Sequence, residues 1–140
     1  MSIGKQAWSD VVQDWYDEVN NWRYGVGSTN GSAVGHFTQV VWYRSHEVGC
    51  AMAYCPNSYD KYFYVCQYCP PGNLQYARPY KSGSPCADCP DACDDNLCTN
   101  PCPYNDLYGN CGQLKTDLTC AHTAVSKGCP ASCQCTTELV

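Results

Sequence analysis

The chain has 140 residues, enough for one domain or for one small domain joined to a cysteine-rich module. Fourteen residues are cysteines, a density typical of disulfide scaffolds in oxidising compartments rather than of cytosolic proteins. The net charge of −5 comes from residues 86–140, which carry two lysines against seven acidic side chains. A chain with this charge lacks the basic field that binding to nucleic acid or anionic lipid requires.

The sequence predicts an extracellular, secreted protein whose signal peptide is not in this chain. The first residues, MSIGKQAWSD, contain no apolar segment of the kind found in leaders. No apolar run is long enough to form a transmembrane segment. Asn30-Gly31-Ser32 forms a glycosylation sequon, which agrees with export and makes Asn30 a candidate for modification.

A helix is predicted over residues 8–22, because apolar side chains recur there at spacings of three and four residues. Glu18 falls at the edge of this apolar stripe. Two interpretations of its carboxylate stay open: it lies in water, or it points into a cleft. The residues of the stripe are Trp8, Val11, Val12, Trp15, Val19 and Trp22.

Two strands are predicted after a glycine-rich loop, over residues 37–43 and 62–68, which are rich in β-branched and aromatic side chains. The segment between them, which holds Cys50 and Cys55, is predicted to be turn-prone. Residues 76–85 are typical of an extended linker. Apolar side chains become sparse and cysteines dense from Cys86 onward, so we expect the tail to depend on its cross-links.

The cysteine spacing also allows a zinc interpretation. Cys66-x2-Cys69 and Cys86-x2-Cys89 are separated by sixteen residues, which matches the two-pair pattern of a zinc ribbon. Ten further cysteines would then need another explanation, whereas disulfides account for all of them at once. Spacing alone does not give the connectivity.

Three stretches carry a family resemblance. GHFTQVVWYRSHEVGCAMAYC resembles the signature of the CAP superfamily, and YFYVCQYCPPGN resembles its second signature. PCADCPDACDDNLCTNPC and the residues after it are similar to the hinge and cysteine-rich domain of the cysteine-rich secretory proteins (CRISPs).

The resemblance implies an α+β fold, a partial CAP α-β-α sandwich, followed by a hinge and a small, disulfide-rich, mainly helical domain. Residues 1–78 would be the C-terminal half of a CAP domain, and residues 79–101 the linker and hinge. Residues 102–140 would be a cysteine-rich, anemone-toxin-like channel regulator. Since the first half of the CAP domain is missing, we interpret the chain as a fragment or truncated product.

The resemblance also implies a disulfide pattern. Cys55 and Cys69 would lose the partners that relatives supply from the missing half. Each would then bond to the other, to a small thiol, or to another chain in an intermolecular disulfide. The implied pairs are Cys50–Cys66, Cys86–Cys93, Cys89–Cys98, Cys102–Cys135, Cys111–Cys129 and Cys120–Cys133.

In the family, a cleft holds two histidines and two glutamates, and His36 and Glu18 match one of each. Some members bind zinc through the two histidines. One imidazole and one carboxylate make at most a weak zinc site, so no cofactor is expected to be required. The alternative is a scaffold histidine that bonds to backbone or to Glu18. His46 and Glu47 match no functional position and are expected at the surface.

The resemblance implies a non-enzymatic binding protein that modulates calcium, potassium or ryanodine-type channels through its cysteine-rich domain. The alternative is a reproductive-tract adhesion protein in sperm–egg interaction, acting through the CAP surface around Val26–Val34. Partners would be an ion channel or cell-surface protein. No activated nucleophile is evident, because Ser45, His46 and Glu47 are sequence neighbours that point in different directions. Candidate channel contacts are Tyr104, Leu107, Tyr108, Leu114, Lys115, His122 and Lys127.

Overall fold

A computed structural model describes residues 4–136, and the chain divides into two compact units, residues 1–81 and 82–140. The division falls inside the predicted linker. The first unit combines helices with two short antiparallel sheets, and the second is small, disulfide-rich and mainly helical. The predicted α+β class with a disulfide-rich helical module is therefore confirmed. No helix within the described residues is long and apolar enough to cross a membrane.

The first unit contains two helices and four strands. Helix α1 covers Trp8–Asp17 and continues as a 3₁₀ turn over Glu18–Asn21. Strands β1 (Trp22–Arg23) and β2 (Gly27–Ser28) pair, and helix α2 (Gly35–Val40) follows. Strands β3 (Glu47–Tyr54) and β4 (Tyr62–Cys69) form an antiparallel hairpin, in which Glu47 lies opposite Cys69 and Tyr54 opposite Tyr62.

The predicted helix over residues 8–22 is too long. The α-helix ends at Asp17, the next turn tightens to 3₁₀, and Trp22 already belongs to a strand. The indole N–H of Trp22 donates to the carbonyl of Tyr76 at 2.6 Å, and its ring packs on Phe37. These contacts with distant residues hold Trp22 in the extended conformation, against the helical periodicity.

The predicted strand over residues 37–43 is wrong, because the segment begins inside helix α2. The backbone N–H groups of His36 and Phe37 both donate to the Glu18 carboxylate. Thr38 donates its hydroxyl to the Val34 carbonyl and lies fully buried. An acidic cap from another part of the chain thus stabilises a helix that local β propensity disfavours.

The middle of the segment between the predicted strands is a strand rather than a turn. Residues 47–54 form β3, which pairs along all eight positions with β4, while the predicted strand over 62–68 is confirmed as part of β4. Cys50 lies directly opposite Cys66, and a disulfide joins them. Glycine, alanine and cysteine give β3 a low intrinsic strand propensity. Its strand conformation is stabilised by pairing with the aromatic strand β4.

The core of the first unit is small and aromatic. Its buried side chains come from both helices, β4 and the loops beside α2, and Trp8 stacks edge-on against Tyr64 at 5.1 Å. The Tyr64 hydroxyl also donates to the Gln6 carbonyl and accepts from its N–H. Helix α1 is therefore fixed on the hairpin from its N-terminal end. The buried apolar residues are Val11, Val34, Phe37, Trp42 and Tyr64.

The second unit begins with a two-stranded hinge, β5 (Cys93–Asp94) and β6 (Leu97–Cys98). Three short helices follow: α3 (Cys111–Leu118), α4 (Thr123–Gly128) and α5 (Pro130–Gln134). Two buried clusters lie among these helices, and half-cystines make up most of both. They are Cys102, Ala131 and Cys135, and Cys111, Val125 and Cys129.

Candidate functional site

The first candidate site is the pair formed by Glu18 and His36. Glu18 Oε1 lies 2.7 Å from His36 Nδ1, and Glu18 Oε2 accepts from the N–H groups of His36 at 2.9 Å and Phe37 at 3.1 Å. The Glu18 side chain is 17% exposed, and that of His36 is 60% exposed. The Glu18 carboxylate neither stays free in water nor lines the cleft that His36 borders: it caps α2 and orients the imidazole.

His36 lies at the edge of a cleft of about 460 Å³. The indole ring of Trp15 stacks on the imidazole at 5.5 Å, nearly parallel. Burial raises the pKa of Tyr68 above its ordinary value of 10.0. The phenol is therefore neutral at pH 7, and it can form hydrogen bonds but carries no charge into the cleft. The cleft is lined by Trp15, Ala33, Gly35, His36, Gln39, Val40, Tyr64, Val65, Cys66, Tyr68 and Asn73.

The cleft does not fit a zinc ion well. Because Glu18 occupies Nδ1, the imidazole of His36 offers only Nε2 to a metal. Cys66, the other lining residue with a zinc-ligand side chain in the described part of the chain, is tied up in a disulfide. Stable zinc sites take three or four protein ligands. The arrangement is a capped helix with an oriented histidine, which matches the alternative of a scaffold histidine.

Ser45, His46 and Glu47 form no catalytic arrangement. The Ser45 hydroxyl donates to the Pro70 carbonyl at 2.7 Å and accepts from the Gln39 amide. The His46 ring lies 3.1 Å from the Arg44 carbonyl, and His46 and Glu47 are both exposed. A serine whose hydrogen bond goes to a backbone carbonyl is not activated by a base.

Six disulfides join twelve cysteines, and their pairs are those that the resemblance implies. Five of them lie in the second unit. In the hinge, the sulfurs of Cys86, Cys89 and Cys98 lie within 4.8 Å of one another, but all three are half-cystines here. The zinc-ribbon interpretation is therefore wrong in this structure, since Cys66, Cys86 and Cys89 each belong to a disulfide.

Cys55 and Cys69 are free thiols, and they cannot bond to each other within one chain. Cys69 ends β4 opposite Glu47, whereas Cys55 follows the far end of β3. The intervening strand separates the two by roughly 26 Å, at about 3.3 Å per residue. A disulfide needs Cα atoms less than about 7 Å apart. Of the three bonding modes expected for these cysteines, only those with a thiol outside the chain remain.

The second candidate site is the loop of residues 103–109 in the second unit. Its apolar side chains are exposed: Tyr104 by 43%, Leu107 by 72% and Tyr108 by 51%. Asp106 accepts hydrogen bonds from the N–H and the hydroxyl of Ser132, and the N–H of Leu107 donates to the Gly128 carbonyl at 2.8 Å. The loop therefore presents apolar side chains from a segment whose backbone is bonded to α4 and whose Asp106 side chain is bonded to α5.

Gly128 and Asp106 were not among the candidates, yet they position this loop. The Tyr108 ring packs so closely on Gly128 that any larger side chain there would collide with it. A glycine directly before a cysteine was the only sequence signal for this contact. Asp106 looked like one more acidic residue in an acidic tail.

The other channel-contact candidates separate into three kinds. Leu114 packs against the cluster of Cys111, Val125 and Cys129, so it belongs to the core of the module. Lys115 donates to the Ser132 carbonyl at 2.6 Å, and His122 accepts from the Ala124 N–H as the cap of α4. Lys127 is exposed in the last turn of α4, directly before Gly128.

Comparisons with known proteins agree with this architecture. The family model described as "Cysteine-rich secretory protein family" matches residues 2–68, and the model described as "Crisp" matches residues 86–140. The chain is 54% identical to human "Cysteine-rich secretory protein 3" over 143 aligned residues, which cover 99% of this chain. The chain belongs to the cysteine-rich secretory protein family.

This CRISP chain spans 58% of the length of the human relative. Family membership and six disulfides support an extracellular protein, in agreement with the composition. The family matches cover the strand hairpin up to Tyr68, with its single disulfide, and all five disulfides of the tail. Each unit of the structure thus has its own match.

Proposed function

We propose that this CRISP is a secreted, non-enzymatic binding protein that modulates calcium, potassium or ryanodine-type channels through loop 103–109. The observation that carries the proposal is the rigid display of Tyr104, Leu107 and Tyr108. Exposed tyrosines on a fixed backbone are typical anchors of protein interfaces, and a leucine beside them adds apolar area that a partner can bury. Because three disulfides hold the module, ordering the loop costs little entropy on docking.

The charges of the tail favour apolar contact over pore plugging. Residues 86–140 carry seven acidic side chains against two lysines, and the mouth of a cation channel is usually acidic too. Lys115 is bonded to the Ser132 carbonyl inside the module. Lys127 is exposed, as Lys115 is, and it lies next to the glycine on which Tyr108 packs. Occlusion of a vestibule or altered gating by the loop fits these charges better.

A single substitution tests the loop. We expect Leu107→Ala to weaken channel modulation about ten-fold or more, since burying a leucine contributes roughly 1.5–3 kcal/mol and 1.4 kcal/mol is ten-fold in affinity. The measurement is the concentration dependence of current change in patch-clamp recordings from cells that express each channel type. Leu118→Ala is the matched control, because Leu118 is exposed in the same module at the end of α3.

Equal potency of the two alanine variants would contradict the proposal. The alternative, adhesion through the surface of residues 26–34, predicts that Leu107→Ala has no effect. It predicts instead that Val26→Ala weakens binding to a cell-surface protein. Val26 is 53% exposed, and this exposure is the observation that supports the alternative.

The proposal requires neither catalysis nor a cofactor. Ser45 donates to a backbone carbonyl and has no base beside it. Glu18 caps helix α2 and bonds to the imidazole of His36. We propose that zinc binds weakly, if added, at Nε2 of His36, and that it plays no part in channel modulation. A single imidazole without further protein ligands supports this view.

A further inference from the structure

Asn30-Gly31-Ser32 is the one Asn-x-Ser/Thr triplet in the 140 residues, and the proposed channel contact makes no use of it. We propose that Asn30 carries an N-linked glycan, and that this sugar covers the surface of residues 26–34. The ligand class is an oligosaccharide attached through N-acetylglucosamine. This proposal rests on the first unit and stands apart from the function of loop 103–109.

The local geometry presents the triplet to solvent. Asn30, Gly31 and Ser32 are all exposed. The Ser32 N–H donates to Asn30 Oδ1 at 3.0 Å, and Gly31 has φ +81° with no other atom within 4 Å of where a Cβ would stand. The triplet therefore forms a tight, solvent-exposed turn with open space beside Gly31.

The hydrogen bonds of Asn30 are compatible with the attached sugar. Asn30 Nδ2 donates one proton to Asn21 Oδ1 at 2.6 Å, which leaves its second proton unused in that contact. Glycosylation removes one amide proton only. The modified nitrogen can thus keep its bond to Asn21, and the first sugar would be held in a defined direction rather than displace the turn.

The transfer step needs only a lipid-linked oligosaccharide and its transferase. A bond forms between Asn30 Nδ2 and C1 of the N-acetylglucosamine, and the bond from C1 to the lipid pyrophosphate breaks. The pyrophosphate leaves with the electron pair, and the nitrogen passes one proton to a base of the transferase. No oxidant or reductant is involved. The disulfides indicate that the chain passes through an oxidising compartment of the secretory route.

The position of the loop decides what the glycan would cover. The N–H and hydroxyl of Thr29 both donate to the Asn21 carbonyl, so Asn30 is anchored beside the 3₁₀ turn. Ala33 lies in the cleft lining, three residues further on. Val26 stands at the tip of the β1–β2 hairpin, four residues and at most about 14 Å from Asn30, so a branched sugar at Asn30 can reach over it as well as over the rim of the cleft near Ala33.

The test is expression of the full chain through the secretory pathway of cultured animal cells, behind a cleavable leader. Intact mass spectrometry should show a glycan that peptide N-glycosidase removes, with Asn30 converted to Asp. Asn30→Gln and Ser32→Ala should each lose the glycan mass, and Ser32→Thr should keep it. Asn57→Gln is the matched control, since Asn57 is exposed but is followed by Ser58 and Tyr59.

A secreted wild-type chain without glycan would overturn the proposal, as would a glycan that persists in Asn30→Gln. Because sugar addition precedes folding, a variant that folds poorly still reports occupancy, and Ser32→Ala keeps the asparagine itself. Coverage is tested by hydroxyl-radical footprinting. Labelling of Val26 should rise after the glycan is removed, whereas labelling of Val48 on β3 should not change. Unchanged labelling of Val26 would refute coverage of the loop.

Discussion

The two units of this chain reach stability by different means. Residues 4–81 have one disulfide, an aromatic core and a hairpin with eight paired positions. Residues 82–136 have five disulfides, and their buried clusters consist mostly of half-cystines. A fold held by covalent bonds can leave its large apolar side chains at the surface, where they are available to a partner. The first unit depends on the burial of Phe37, Trp42 and Tyr64, although it too leaves apolar side chains such as Tyr59 and Leu74 at its surface.

Removal of one disulfide from each unit should give the largest difference between them. The Cys111–Cys129 and Cys50–Cys66 bridges close loops of similar length, 18 and 16 residues. Each is therefore worth about 3 kcal/mol in the entropic model. We expect Cys111→Ala with Cys129→Ala to unfold the second unit, because the two half-cystines are also two of the three residues in one of its buried clusters. NMR signal dispersion of residues 102–136 would report the loss.

The matched variant, Cys50→Ala with Cys66→Ala, should keep the signals of Tyr64 and Trp42 dispersed. The eight paired positions and the aromatic contacts of the first unit remain in that variant. If both double variants unfolded equally, the contrast between a packed and a cross-linked unit would be wrong.

Gly128→Ala should have the next largest effect. The new methyl group would collide with the Tyr108 ring, and overpacking of this kind costs about 1–3 kcal/mol. We expect a lower midpoint in chemical denaturation of the second unit, together with weaker channel modulation. The control is Gly112→Ala in α3, where nothing lies within 4 Å and a helical glycine gives way to a better helix former.

A smaller effect is expected from Glu18→Ala in the first unit. The substitution leaves the N–H groups of His36 and Phe37 without their acceptor, which should lower the free energy of unfolding by about 1–2 kcal/mol. Glu18→Gln retains one acceptor oxygen and should lose less. Glu47→Ala, at an exposed carboxylate on β3, is the control, and a loss as large as that of Glu18→Ala would count against the capping role.

The smallest effect should come from His36→Ala. The imidazole is 60% exposed, and exposed ion pairs contribute about 0–1 kcal/mol. We expect channel modulation to stay unchanged, and added zinc to leave the thermal midpoint of the wild-type chain unchanged as well. A zinc-dependent rise in the midpoint that His36→Ala abolishes would show a tighter site than we propose.

The sequence predicted features that depend on local pattern. Tyr62–Cys69 has the aromatic and β-branched content of a strand and forms one. The start of α1 at Trp8 follows from apolar periodicity. The exposed character of His46, Tyr104 and Leu107 is also typical of residues in turns and between cysteines.

Features that depend on long-range contacts were missed. Helix α2 needs the Glu18 carboxylate, which lies eighteen residues before His36 and cannot be assigned to it from propensity. Strand β3 is recognised only by its register with β4. The role of Asp106 depends on Ser132, which lies in the third of the helices that follow it. In each case the deciding partner is remote in sequence.

The hairpin of β3 and β4 has a practical consequence through its two thiols. Cys55 and Cys69 are the only cysteines outside disulfides, and they mark opposite ends of one paired ladder. Spin labels attached to both would therefore measure the length of the hairpin by pulsed dipolar spectroscopy. A narrow distribution near the roughly 26 Å backbone separation would indicate an intact ladder, and a broad one would reveal fraying of these strands in solution.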